Sequence, residues 1–266
     1  MTLDLRDVTA DWQYRAGEIC ARMVIGRDGA ELVQMRVDLG LMQMFPDGRP
    51  DGKRYRGLPT ALEYLRHELR LGGTGIQPED WRELERELYQ LNYRRLAFSS
   101  LAEESLARND ASAARGHLRR GLRDIAMCLE RVRLMEQHRA ESLAMGGHAL
   151  KPTLTFQQGR LRVQLHVVEQ RYEEAIEEAQ RAERALDSVL AEFGLDAEQR
   201  EEDPGVLFLR DLSQRLRREY DIPLTLRERL ELAVESDDFE TAARLRDELR
   251  RREADPAAGD SDLDPR

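Results

Sequence analysis

Within the stretch Trp12 to Arg56, residues 33–39 alternate apolar with polar, whereas from Thr60 onward apolar residues recur every three or four positions. A period of two marks strands with one buried face, and a period near 3.6 marks amphipathic helices. Ile19 to Ile25 and Glu31 to Met44 are rich in Val, Ile, Leu and Met, with Gly26-Arg27-Asp28-Gly29 as a turn between them, so a β-hairpin is predicted. Along its second strand Val33, Met35, Val37 and Leu39 alternate with Gln34, Arg36 and Asp38, giving one buried and one wet face; Gly40 reads as a bulge. Two strands alone are marginal, so this hairpin is expected to pack on helices or to pair across a homodimer.

The remainder predicts helical hairpins. A helix spans Thr60 to Leu71, breaks at Gly72-Gly73-Thr74-Gly75 and resumes at Pro78, a residue suited to a first helical turn. Trp81, Leu84, Leu88, Leu91 and Phe98 share one stripe; after a turn at Asn109-Asp110, Leu118, Leu122, Ile125, Leu129 and Val132 share another. Gly146-Gly147 and Lys151-Pro152 read as a hinge or loop. Leu161, Leu165 and Val168 belong to the next helix, and Tyr172, Ala175, Ile176, Ala179, Leu186, Val189 and Phe193 to its return, ending at Gly194. Tyr172-Glu173-Glu174-Ala175-Ile176 looks like the second-helix opening of a tetratricopeptide repeat. Three turns, at Asn109-Asp110, Gln170-Arg171 and Asp237-Asp238, carry an alanine at one common offset, Ala114, Ala175 and Ala242, and read as equivalent hairpin turns. They lie too far apart for tandem repeats of about 34 residues. Asp203-Pro204 opens a helix striped by Val206, Leu209, Leu212, Leu216 and Tyr220 that is expected to seat a terminal hairpin.

That terminal hairpin is a capped pair of helices. Thr225-Leu226-Arg227-Glu228 has the form of a capping box, and Leu226, Leu230, Ala233 and Val234 gather on one face. Asp237-Asp238-Phe239-Glu240 offers a second cap, with Phe239, Ala242, Ala243, Leu245 and Leu249 behind it; small Ala233, Ala242 and Ala243 let the axes approach, and Phe239 is expected to plug the turn end. Leu224 to Glu253, and above all the run Asp238-Phe239-Glu240-Thr241-Ala242-Ala243-Arg244-Leu245-Arg246-Asp247, resembles the UvrB/UvrC (UVR) motif. That motif is a helical hairpin shared by nucleotide-excision-repair subunits and protein quality-control factors. The resemblance implies hairpin-to-hairpin packing with a protein partner, a UvrABC-type repair subunit or a Clp-type unfoldase. An ordinary αα-hairpin capping a helical domain is the alternative reading of the same residues.

The fold class is therefore mainly α: αα-repeat-like helical hairpins, a small N-terminal β-hairpin and a C-terminal UVR-type hairpin. The divisions are 1–57, a β-hairpin region with a basic loop; 58–150, a long helical hairpin; 151–221, a second hairpin with its connecting helix; 222–253, the terminal hairpin; and 254–266, an acidic tail read as disordered. Content of 41% hydrophobic and 35% charged residues suits exposed amphipathic helices over a real core. A formal charge of -10 opposes unspecific binding along phosphate backbones. With no signal-like segment and no membrane-length apolar run, the chain is expected to be soluble and cytoplasmic.

Catalytic chemistry is sparse. Gly72-Gly73-Thr74-Gly75 lacks the lysine of a phosphate loop, and Cys20 and Cys128 cannot build a four-cysteine zinc site. His67-Glu68 lacks a second histidine, Glu173, Glu174, Glu177 and Glu178 lack a Glu-x-x-His partner, and Ser99-Ser100 lacks a nucleophile elbow. No enzyme class, cofactor or metal is expected. The expected function is that of a non-catalytic adaptor, with Phe239, Ala242, Ala243, Leu245, Arg246 and Leu249 as its partner-binding residues. The alternative is a nucleotide-excision-repair accessory touching DNA through the loop Phe45 to Gly57. There two Pro-Asp-Gly units bring Arg49, Lys53, Arg54 and Arg56 together, as an anion-holding loop or as plain turn chemistry.

Overall fold

The computed structural model describes residues 5–38, 40–138 and 144–254; Leu39 and all of the predicted acidic tail but Ala254, which ends the last helix, lie outside them. A short helix α1 (Leu5–Thr9) precedes strands β1 (Cys20–Ile25), β2 (Glu31–Val37) and β3 (Gly40–Met44). The predicted second strand is two strands: Val37 pairs with Gly40, so the chain reverses there and Gly40 opens β3 instead of forming a bulge. The result is an antiparallel sheet of order β1-β2-β3. The reversal shifts the phase of the alternation, because partners such as Val37 and Gly40 share a face: inward positions are odd in β2 (Val33, Met35) and even in β3 (Met42, Met44).

One sheet face, built by Ala21, Val33, Met35 and Met44, packs on Ala97, Phe98 and Leu101 of a long helix. The opposite face is not wet as the alternation suggests. Gln34 is buried there in a ladder in which Arg22 Nε donates to its Oε1 (2.8 Å) and its Nε2 donates to Gln43 (2.9 Å). Arg22 and Arg36 also donate to the carbonyls of Val8 and Thr9, which draws the amino-terminal segment over this face.

The helices come in the order α2 (Ala61–Arg70), α3 (Pro78–Ala107), α4 (Ala111–Gln137), α5 (Ala144–His148), α6 (Lys151–Val168), α7 (Tyr172–Glu192), α8 (Ala197–Glu201), α9 (Pro204–Tyr220), α10 (Leu226–Glu235) and α11 (Phe239–Ala254). Thr60 caps α2 through the Glu63 amide (3.1 Å), and Pro78 occupies the first turn of α3. Neighbours pack as α3 with α4, α4 with α6, α6 with α7, and α7 with α9. The main core joins Leu65, Leu84, Leu88, Leu118 and Ile125 to Leu154 and Leu161 of α6, so burial runs on from the first hairpin into the second.

Gly146-Gly147 is no open hinge but part of α5, and Lys151-Pro152 begins α6. A Cβ at Gly147 would stand 2.8 Å from Met135 Cε and 3.0 Å from Leu88 Cδ2, so glycine here permits close packing. The three expected turns are indeed one device. Asn109, Gln170 and Asp237 have φ of 58°, 59° and 55°. In each turn the next amide reaches back to the helix, Asp110 to Ser105 (2.9 Å), Arg171 to His166 (2.9 Å) and Asp238 to Ala233 (2.8 Å). The shared alanines Ala114, Ala175 and Ala242 are all buried beneath these turns.

Candidate protein-docking hairpin

The terminal hairpin is built from its caps upward. Thr225, fully buried, accepts from the Glu228 amide (3.3 Å) and donates its own amide to Glu228 Oε2 (2.8 Å), closing the predicted box. The second helix starts one residue later than the predicted cap: Asp237 takes the left-handed turn position and Asp238 accepts from the Thr241 amide (3.0 Å). Leu226, Ala233, Ala242 and Leu245 then form a core that belongs to the hairpin alone, with Leu230 and Leu249 packed against it.

Attachment to the bundle is largely polar. Glu228 also accepts from Gln180 of α7 (3.0 Å) and from Arg217 of α9, whose Nη1 donates to the Pro223 carbonyl (2.7 Å). Arg227 pairs with Glu177 of α7 (2.9 Å). Burial alone raises the pKa of Glu228, but the bonds from Arg217, Thr225 and Gln180 and the charge of Arg217 outweigh it and pull the carboxyl down to about 2. The linker residue Ile222 packs on the α6, α7 and α9 cluster. The helix striped by Leu209 and Leu216 thus seats the hairpin through one arginine rather than through its apolar stripe.

The outer surface is apolar and acidic. Leu224, Leu232, Val234 and Phe239 are exposed, Phe239 to 70%. Phe239 therefore does not plug the turn, and Val234 lies outside the stripe of Leu226, Leu230 and Ala233 rather than within it.

Residues 224–254 match the family model of the UvrB/uvrC motif. Comparison with curated proteins and with solved structures returned no match. The UVR motif is a protein-interaction element that also occurs in DNA-repair settings, and here it occupies α10 and α11. Of the residues singled out for docking, Ala242 and Leu245 lie inside the UVR hairpin's own core, Leu249 packs on it, and Ala243 is half-buried. Only Phe239 and Arg246 are openly exposed. The spacing that reveals an amphipathic face cannot say whether that face meets its sister helix or a partner, and α10 takes it first. The exposure of Leu232 and Val234 was missed; their one sequence signal is that they are large apolar side chains off or at the edge of the inward stripe.

The basic loop is spent on the fold. Arg49 is buried and bonds Asp51 (2.8 Å) and Glu83 of α3, and Arg54 donates to the Gly57 carbonyl (2.7 Å). Arg56 pairs with fully buried Asp80 (2.8 Å) and lies over the rings of Tyr55 and Tyr64. Lys53 is exposed. The four cations do not converge on one open point. Sequence reading missed what anchors this loop: Arg94, fully buried on α3, donates to the carbonyls of Phe45 (2.8 Å) and Gly48 (2.9 Å). Among the described residues, no group of three or more His, Cys, Asp and Glu is placed to hold a metal, and no helix is long and apolar enough to cross a membrane.

Proposed function

We propose that this chain is a non-catalytic adaptor whose UVR hairpin docks a protein partner, a UvrABC-type repair subunit or a Clp-type unfoldase, while the helical bundle holds the hairpin in place. The observation that supports this reading is a hairpin with its own small core and a largely polar attachment, which leaves Phe239, Val234 and Leu232 in water. Exposed aromatic and aliphatic side chains ringed by charge are what a docking surface needs: an apolar anchor gives affinity, and rim charges such as Arg246 select the partner. A DNA-contacting role for residues 49–56 has no comparable support, because Arg49, Arg54 and Arg56 already serve internal acceptors.

The test is affinity capture by wild type and by Phe239→Asp side by side. Phe239 is 70% exposed, so the substitution leaves the helical signal intact. Loss of a repair subunit or unfoldase from the variant alone supports the adaptor; identical captured sets remove the hairpin from the mechanism.

A further inference from the structure

The tip of the UVR hairpin and a groove on the bundle are complementary in both charge and apolarity. Residues 231–240 carry Glu231, Glu235, Asp237, Asp238 and Glu240 without a cation, and every residue among them except Ala233 is exposed. Leu232, Val234 and Phe239 stand among these acids.

On the bundle, α4, α6 and the start of α7 border an open groove of about 830 Å³. Its walls hold six arginines, Arg119, Arg123, Arg133, Arg162, Arg171 and Arg181, against three glutamates, Glu130, Glu169 and Glu178. The carboxylates are shared. Glu169 serves Arg119 (3.2 Å), Arg171 (2.8 Å) and Arg115 (3.8 Å). Glu178 serves Arg162 (3.4 Å) and Arg181, Glu130 is taken by Arg66 (2.6 Å), and Arg123 is held by Asp47 and Asp124 (3.3 Å), which leaves Arg133 and the arginines that share Glu169 and Glu178 to set the sign. Positive charge is thus in excess here, on a chain whose formal charge is -10. Between the arginines lie the half-buried apolar side chains Leu122, Met127 and Leu165.

A phosphate backbone satisfies only half of this surface, because it offers nothing to the apolar floor. An acidic protein segment with apolar side chains satisfies both halves, and this chain presents such a segment. We propose that the groove receives the acidic hairpin tip of a second copy of this chain, with apolar tip residues on the floor and tip carboxylates against the arginine rim. The proposal rests on the reading of the hairpin as a docking element and names one partner for it. The two surfaces differ, so the contact closes only if it is reciprocal or forms a ring.

The test is sedimentation velocity on the full chain over a range of concentrations at low and high salt. A groove variant, Arg133→Glu with Arg162→Glu, and a tip variant, Glu231→Lys with Glu235→Lys, alter exposed side chains only. Wild type self-associates and loses the association as salt rises. Each variant alone associates at least tenfold more weakly, while their mixture recovers association, because the intact tip of one meets the intact groove of the other. A wild type that stays monomeric overturns the proposal, as does association indifferent to both variants, or a mixture of variants, helical by circular dichroism, that fails to recover. If a monomeric wild type still captures another protein through Phe239, the adaptor reading stands and only the self-docking falls.

Discussion

Arg94 and Asp124 face each other across α3 and α4 with both guanidinium–carboxylate contacts at 2.7 Å and neither side chain exposed to solvent. A second buried pair, Arg131 with Glu87 (2.7 Å), lies in the same helical hairpin, and Glu87 also accepts from the Ala61 amide that opens α2 (3.0 Å). These ions hold elements together that the apolar stripes alone leave free to slide. Arg94 is also the buried link between the bundle and the Pro-Asp-Gly loop, beside the more peripheral bonds of Arg49 to Glu83 and of Arg123 to the Pro46 carbonyl.

Removing one partner of the first pair strands the other in a dry interior. Asp124→Ala is expected to cost about 3–5 kcal/mol in urea unfolding, because the uncompensated charge remains buried. Arg94→Leu in the same background recovers part of that loss but also frees the Phe45 and Gly48 carbonyls, so limited proteolysis cuts the loop 45–52 faster in the double variant than in wild type.

Glu228 sets an acid limit on the hairpin's attachment. Its carboxyl titrates at about 2 in the fold against an ordinary 4.5. A lowered carboxylate pKa stabilises the folded form above the ordinary value, and the contribution disappears as pH falls from about 4.5 toward 2. At roughly 1.4 kcal/mol per pKa unit, the contribution at neutral pH is at most roughly 3.5 kcal/mol. Glu228→Gln is expected to unfold at lower urea than wild type at pH 6, and the gap between them closes near pH 2.

Two helical glycines have opposite prospects. Alanine normally favours a helix interior by about 1 kcal/mol over glycine. At Gly116 in α4 an added Cβ meets nothing within 4 Å, so Gly116→Ala raises the melting temperature. At Gly159 in α6 the same Cβ falls 2.2 Å from Ala182 Cβ of α7, so Gly159→Ala forces the helices apart and costs about 1–3 kcal/mol. Thermal scans of the two variants distinguish these signs directly.

Cys128 is buried, and desolvation pushes its thiol up to about 12, whereas Cys20 is partly exposed on β1. The thiolate is the reacting species. Native protein is expected to take up one equivalent of iodoacetamide, at Cys20, and two once denatured; rapid native labelling of Cys128 counts against the packing of α3 on α4.

The helices were legible because burial on one side of each imposes its spacing on the sequence. Leu84, Leu88 and Leu91 on α3, and Leu118, Ile125 and Val132 on α4, are as buried as their stripes imply. The buried ions were not legible, since Arg94 and Asp124 read as ordinary surface charge unless their positions inside facing stripes are noticed together. The same blindness affected the loop: Arg49 counts as a cation along the chain, yet its partner Glu83 lies a helix away. On the hairpin, spacing located the inner face but assigned it to a partner, and the apolar side chains left in water, such as Leu232 and Val234, are the smaller set that this spacing passes over.

The separate core of Leu226, Ala233, Ala242 and Leu245 also bears on timing and temperature. A small cooperative unit held to a larger one by a few polar bonds opens first. On warming, the hairpin melts before the bundle, so calorimetry traces two steps rather than one, and a partner that grips the folded hairpin moves only the earlier step upward. The UVR hairpin's fold is then thermally gated, lost while the helices beneath remain intact.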